Sequence, residues 1–560
     1  MLNLRHTYYT TLCASVLSLG LGLLTNACSS LEAAQKAYAL GEYSRAASLY
    51  DGLQKSEKNK VRRAEECFIL GECYRQLGLD NKAAMAYQKA VRYNHNDDIV
   101  YLRLGDALRS QGKFDEAEQA YAEYRNRRKT DKRIIAAEES LQLIRDNWSE
   151  MGKEVGREKQ DSGYVIERVR EFASRESDYC PMYVSDTYDV VYFTSMRKMK
   201  KRSKSSKITG QGASALYMSK IDGKGKWTLP EPLGEPFGMP HTDDGAAYVS
   251  ADGHTMFFTR CPMDDQQGNG AHTYVSTREG GRWSEPVRVV PGGDSTMMVA
   301  HPTLSPDGNT LYFVSDKEEG GMGGKDIWRS TRNADDTWSE AENLGAIVNT
   351  AGDEMFPYVR TDGTLYFSSD GHKGFGGLDI YKAELGEDKL YRVSNMGLPI
   401  NSQGDDFGIA FMGMAEEGLL SSNRASAKGI DDIYSFYLPP VILTIEGHIG
   451  QKSTKKNTAT TTKTNTRKSN KGQTTAKQPT KVGDYEPIKG AFVRIVGTDG
   501  TNVKLNATEK GVVSFVAERG VKYIILAGAP GYANARTELT TEGLNKTQTL
   551  TFDAMLEKVN

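Results

Sequence analysis

Reactive chemistry is in short supply along this chain. There are six cysteines in 560 residues, and no Cys-x-x-Cys pair that would seat zinc or exchange thiols. Cys67 and Cys73 fall six apart on one predicted helix, so they point to different faces and cannot bridge each other. A bridge between Cys180 and Cys261 stays open. The eight histidines are scattered, with no His-Glu-x-x-His pair. Gly212-Ala213-Ser214-Ala215-Leu216 lacks the last glycine of a nucleophile elbow. Gly450-Gln451-Lys452-Ser453 lacks the glycine frame of a phosphate loop. Net charge is also small, formally −2, which gives no global pull towards nucleic acid. These shortages predict no catalytic residues, no metal, no cofactor, no nucleic-acid partner and no enzyme activity.

Long apolar runs are equally rare. The one that stands out, residues 12–24, follows Arg5 and is too short for a comfortable membrane span. Thr25-Asn26-Ala27-Cys28 follows it and resembles a bacterial lipobox, with Thr25 where leucine is usual. Residues 1–27 then read as a lipoprotein signal peptide and Cys28 as the acylated residue that anchors the chain, since multiple acyl chains hold stably where one does not. Ser29-Ser30-Leu31-Glu32 carries a single early acid and so resembles a surface-export tag only weakly. The expected location is the outer membrane, lipid-anchored and facing the periplasm, with the surface-exposed leaflet as the alternative.

What the chain does have is repetition. Over residues 28–148, Leu70-Gly71-Glu72-Cys73-Tyr74 recurs as Leu104-Gly105-Asp106-Ala107-Leu108, and Gly71/Gly105, Ala83/Ala117 and Tyr87/Tyr121 are each 34 residues apart. Ala46 and Tyr50 belong to an earlier copy. Small residues where paired helices touch, with an aromatic knob on the second helix, resemble the tetratricopeptide pattern. Three repeats capped by a helix over 131–147 would make an α-solenoid whose concave face takes a peptide or helix of a partner. Residues 149–163 read as a linker.

A second repeat fills residues 164–440. Apolar, aromatic-rich runs ending in Ser or Thr recur as Val191-Tyr192-Phe193-Thr194-Ser195, Met256-Phe257-Phe258-Thr259, Leu311-Tyr312-Phe313-Val314-Ser315, Leu365-Tyr366-Phe367-Ser368-Ser369 and Gly418-Leu419-Leu420-Ser421-Ser422. Each is followed by a second run, clearest in Asp326-Ile327-Trp328, Asp379-Ile380-Tyr381 and Asp432-Ile433-Tyr434, whose aromatic positions are 53 residues apart. This period, with several short strands per copy, predicts a five-bladed β-propeller, six-bladed as the alternative. An orphan run at 164–169 is expected to supply the outer strand of the last blade and so remove its open edge. Asp252-Gly253, Asp307-Gly308 and Asp362-Gly363 read as turns demanding positive φ. The first blade carries a dense basic insertion, Arg197, Lys198, Lys200, Lys201, Arg202 and Lys204, a candidate docking loop for an acidic partner or anionic glycan. One catalytic alternative remains, a propeller hydrolase or lyase in which His241, Asp243, Asp244 and His301 meet in the central mouth.

Residues 441–560 alternate as strands, interrupted at 451–481 by a Thr/Lys/Asn-rich stretch with nine basic and no acidic residues, which is expected to be disordered. Gly490-Ala491-Phe492-Val493 and Gly531-Tyr532 resemble the marks of the carboxypeptidase regulatory-like β-sandwich, a module without zinc ligands. The order lipobox, tetratricopeptide solenoid, TolB-like (PD40/WD40-type) propeller and regulatory-like sandwich resembles PorE-type envelope lipoproteins of Bacteroidota, linked to type IX secretion and gliding. The resemblance implies a periplasmic scaffold that binds envelope proteins through its solenoid and propeller, and outer-membrane lipid through Cys28. An accessory lipoprotein of nutrient uptake that captures glycan or peptide is the alternative. No segment offers the Asn-x-x-Leu-Ser-x-x-Arg helix of OmpA-like domains, so peptidoglycan contact by that route is not expected.

Overall fold

The computed structural model describes residues 30–559 apart from 152–162, 185, 198–204, 240–241, 263–269, 425–428, 453–484 and 545–546; for 148–151 it describes the backbone. Cys28, the signal run and the lysines and Arg202 of the basic insertion lie outside the described residues. The chain divides into two compact units, Met1–Leu438 and Pro439–Asn560.

Among its described residues the first unit opens with seven helices: α1 (30–39), α2 (Tyr43–Ser56), α3 (Lys60–Gln76), α4 (Asp80–Arg92), α5 (Ile99–Arg109), α6 (Phe114–Arg127) and α7 (Arg133–Met151). Asn59 starts α3 by accepting from the N–H groups of Val61 and Arg62, satisfying donors that the first turn leaves over. Gly78 and Gly112 sit at φ +64° and +72° in the turns after α3 and α5, a conformation that side-chain-bearing residues rarely adopt. The two glycines inside helices have another purpose. A Cβ on Gly71 would stand 2.4 Å from the Tyr87 ring, and one on Gly105 2.2 Å from Tyr121. Both tyrosines are fully buried, so each ring fills the space its glycine leaves. Cys67 packs in the cluster around Tyr87 and Tyr121, while Cys73 packs with Ala46 and Tyr50 on the opposite face of α3.

Five antiparallel sheets follow, each with a path of four strands. The second carries an additional short strand, Arg282–Trp283. Their first strands are Asp178–Tyr183, Thr242–Val249, Ala300–Leu304, Glu354–Val359 and Asp406–Phe411. Consecutive first strands touch, and the fifth touches the first, so the sheets close a ring. The aromatic periodicity has a direct structural meaning, because Phe193 faces Tyr217, Phe258 faces Tyr274, Phe313 faces Trp328, Phe367 faces Tyr381 and Leu420 faces Tyr434 in the same register of all five sheets. Val165–Arg168 pairs with Tyr434 to Tyr437 and completes the fifth sheet. Just beyond it, Phe172 is fully buried, stacked on Phe193 at 5.1 Å and edge-on to Trp227 at 5.3 Å. Trp227 and Trp338 bridge back to Ile221 and Arg332, and Trp283 closes a hairpin on the third strand; the outer strands Glu231–Pro232, Val287–Arg288 and Glu342–Asn343 come after them.

The second unit is two four-stranded sheets around one core that includes Leu443, Ile445, Val493, Ile495, Tyr523 and Ile525. Strand Leu443–Lys452 lies between an antiparallel neighbour, Val512–Ala517, and a parallel one, Gln548–Met555. The turn glycine Gly531 has φ +80°, and Tyr532 donates its hydroxyl to Gln451. Among the described residues no helix is long and apolar enough to cross a membrane.

Candidate functional site

The helices and the ring, treated as separate domains from sequence, share an interface. Arg109 donates from Nη2 to the carbonyl of Gly376 at 3.2 Å, and the Ser140 hydroxyl accepts from the N–H of Gly374 at 3.0 Å. Arg75 lies 3.5 Å from Asp370, and Lys207 of the ring lies 3.4 Å from Glu42. Ile144 of α7 packs with Phe375 and Leu398. Within the ring, the glycine-rich stretches 320–324 and 374–377 lie close against the backbone of the following sheet: a Cβ on Gly323 would stand 2.3 Å from the carbonyl oxygen of Thr350, and one on Gly376 1.9 Å from that of Gly404. Arg75, Arg103 and Arg109, on helices α3 and α5, line a polar cavity of about 190 Å³ shared with Asp353, Asp370 and Asp405 of the ring. This part of the helical surface is turned inward upon the chain itself.

At the ring's centre each first strand carries a bulge. The bulged residues Cys180, Ala246, His301, Phe356 and Gly408 all have positive φ, between 45° and 58°. A bulge breaks the ladder and leaves N–H groups to be satisfied elsewhere. Hydroxyls of the preceding sheet do this: Ser421 accepts from Cys180 N–H at 2.8 Å, Thr194 from Ala246 at 2.9 Å and Thr259 from His301 at 2.8 Å. Ser421, Thr194 and Thr259, at the ends of their apolar runs, are thus clamps between neighbouring sheets. Val314 stands at this position in the third sheet, and there Phe356 N–H is directed at His301 Nδ1, 3.4 Å away. His301 stacks on Phe356 with ring centroids 3.9 Å apart. Burial, helped by Lys325, pushes its imidazole down to about 3, so it is neutral at physiological pH.

Beyond the bulges, where the first strands end, the channel widens into an open cleft of about 510 Å³. Tyr183, Tyr188, Tyr248, Tyr358, Leu304 and Phe411 supply its wall. Its charged lining residues are Asp186, Asp252 and Asp307, all exposed at hairpins on the rim, and no Lys or Arg is among them. Gly253, Gly308 and Gly363 in the Asp-Gly turns have φ +71°, +73° and +86°. The aspartates accept from the turn, Asp252 from His254 N–H and Asp307 from Asn309 N–H, and these bonds with the neighbouring serine hydroxyls hold both carboxyls below the usual range. Sequence reasoning missed the cleft, although Tyr183-Val184, Tyr248-Val249 and Tyr358-Val359 recur at one offset before the turns.

Arg197, the described member of the basic insertion, is turned inward. It donates to the Asp178 carboxylate and the Phe172 carbonyl, each at 2.7 Å, and from Nε to the Ser195 hydroxyl. Arg260 with Asp244 and Arg424 with Asp406 repeat the arrangement, so Arg197 belongs to the ring's framework. Asp243, Asp244 and His301 do not form a catalytic group. Asp243 accepts from Ser214 N–H, Asp244 is held by Arg260, and His301 belongs to the bulge network; His241 lies outside the described residues. Cys180 and Cys261 are free thiols, so they form no bridge.

Four buried carboxyls of the ring make its stability depend on pH. Burial pushes Asp379, Glu354 and Asp431 up to about 7, and Asp405 up to about 6 with the Asp80 charge adding to it. Unfolded carboxyls titrate near 4, so between about pH 4 and 7 the folded chain binds more protons than the unfolded one. Stability from these groups is therefore greatest on the acid side and falls as pH rises through 7. Below about pH 4, carboxylates held low by their partners, such as Glu416 with Tyr164 and Arg360, lose that contribution. Denaturant midpoints are expected to be higher at pH 5.5 than at pH 8; a midpoint that rises steadily to pH 8 refutes this.

No known family profile matches the chain, and no curated protein matches it. Similar solved structures do exist. One from a study of two prolyl endopeptidases is 13% identical and covers 62% of this chain and 38% of its own, with a TM-score of 0.25. A TolB structure from Agrobacterium tumefaciens is 18% identical over 49% of this chain and 97% of its own, at 0.24. A puromycin hydrolase is 11% identical over 69% and 54%, at 0.26. The chain thus spans about 38% of the length of the endopeptidase. The expectation that the chain is not an enzyme is corrected by this comparison, since its structural neighbours include peptidases and hydrolases. At these TM-scores the likeness assigns no activity either.

Proposed function

We propose that the protein is a lipid-anchored envelope adaptor: acylated at Cys28, it holds other envelope proteins from the periplasmic face of the outer membrane, within a secretion or gliding machine of the type IX kind. On this reading the helices are three tetratricopeptide repeats with a cap, the ring is a five-bladed PD40-type propeller, and the second unit is a carboxypeptidase regulatory-like sandwich. The observation that carries it is the division of labour between the two ends of the ring. The end where the first strands begin is packed against helices α3, α5 and α7, whereas the end where they finish is an open, aromatic-walled cleft. Pockets of this size with aromatic walls are binding sites by default. Accessory capture of glycan or peptide for uptake is the second reading, favoured by the same tyrosines. Deletion in the native host separates them. Loss of bulk protein secretion or of gliding supports the adaptor, whereas normal secretion with lost growth on one polymer overturns it in favour of uptake.

A further inference from the structure

We infer that the open cleft selects a cationic segment, an extended stretch of a partner protein that inserts a lysine or arginine side chain between the tyrosines beneath an acidic rim; this rests on the adaptor reading and deepens it. Two independent features point to the same chemistry. Among the described residues, the rim carboxylates Asp186, Asp252 and Asp307 stand over a lining without Lys or Arg; Lys220 and Arg278 border Asp186 and Asp252 in the adjoining pocket, so the side that faces the cleft is the one that attracts a cation. The wall below them presents Tyr183, Tyr188, Tyr248 and Tyr358, and a cation over a tyrosine face is attracted by the ring quadrupole. An ammonium or guanidinium has an apolar stem to lay along such a wall while its head stays near the carboxylates. The ring already uses this pairing internally: Arg197 lies over Tyr217 and Arg260 over Tyr274, with ring centroids 4.9 and 5.5 Å away. The turn bonds that hold Asp252 and Asp307 ionised keep the rim charged as the surroundings acidify. The volume, about 510 Å³, suits a few side chains and a short backbone stretch.

The test uses the full mature chain in detergent and two fluorescein-labelled nonapeptides. They are identical except that Ser and Gly flank a central Arg-Leu-Arg in one and Glu-Leu-Glu in the other. Fluorescence anisotropy is expected to show saturable binding of the basic peptide, tighter by at least about tenfold than the acidic one and weakening as salt is raised. The double variant Asp252→Asn with Asp307→Asn retains a side-chain acceptor for each turn. It is expected to bind the basic peptide about tenfold more weakly, as for loss of two rim charges, with its thermal midpoint little changed. Tyr248→Ala should weaken binding as well. Equal binding of the two peptides, no binding of either, or an Asn double variant that binds like the parent overturns the inference. So does competition for the cleft by a neutral oligosaccharide with no effect of salt. If these tests fail while deletion still abolishes secretion, the adaptor reading stands and the cationic ligand alone is wrong.

Discussion

Arg260→Leu is expected to lower the stability of the first unit by about 3–5 kcal/mol, the range for breaking one side of a buried ion pair. Asp244 is fully buried and Arg260 nearly so, with Nε and Oδ1 2.7 Å apart. The guanidinium also donates to the second carboxylate oxygen and to the Pro236 carbonyl, both at 2.8 Å. Leucine fills part of the space but strands the buried Asp244 carboxylate, with the Gly238 N–H still donating to it. The loss should follow from stranding the charge more than from losing the attraction. Arg260→Met combined with Asp244→Leu is therefore expected to recover more than half of the stability, because removing both partners also removes the desolvation cost. Urea unfolding followed by tryptophan fluorescence measures this; a double variant as unstable as the single one refutes the account.

Gly105→Val comes next in size. Glycine inside a helix costs about 1 kcal/mol relative to alanine, so propensity alone makes its replacement stabilising. Packing reverses the sign. With a Cβ placed 2.2 Å from its ring, Tyr121 must leave its hole between α5 and α6 and give up its hydroxyl bond to Asp106, 2.8 Å long. Overpacking of this kind costs about 1–3 kcal/mol, sometimes more. The expected result is a loss of about 3 kcal/mol or greater for valine, with helix content reduced in far-ultraviolet dichroism. Gly105→Ala paired with Tyr121→Leu should recover part of it, since the shorter side chain vacates the space the methyl needs. A stabilised Gly105→Ala single variant would show that the tyrosine can move aside and that the knob is not locked.

Much of the repeat structure was legible because it follows from local pattern. The aromatic residues that recur every fifty or so positions face one another across the second and third strands, and a strand buried on both faces announces itself by such runs. The Gly/Tyr pairs of the helices carry their own explanation in the 34-residue spacing. The Ser and Thr at the ends of the runs were visible too, but their purpose was not. They act on the next sheet's bulge, 42 to 52 residues away within the ring and 241 where the ring closes, and a bulge at Cys180, Ala246, His301 or Phe356 uses ordinary residues at positive φ that carry no glycine signal. The part played by Arg75, Arg103 and Arg109 was hidden for a different reason. On a helix they have the composition of a solvated or partner-facing surface, and only the long-range packing turns them towards the ring. Arg197 was grouped with its basic neighbours by proximity in sequence, whereas its chemistry belongs with Arg260 and Arg424. The open cleft escaped because its walls come from all five sheets, no one of which contains enough of it to be recognised.

The pairing of Val165–Arg168 with the strand ending at Tyr437 sets an order of events for a chain emerging amino end first. The clasp is made early and must wait for a partner translated roughly 270 residues later, and bringing such distant segments together is entropically slow. Until then a partly built toroid shows two raw rims to proteases and to other copies of itself. Once fastened, each rim conceals the other, and traction applied at either side of the toroid must shear the clasp before any wedge can peel away.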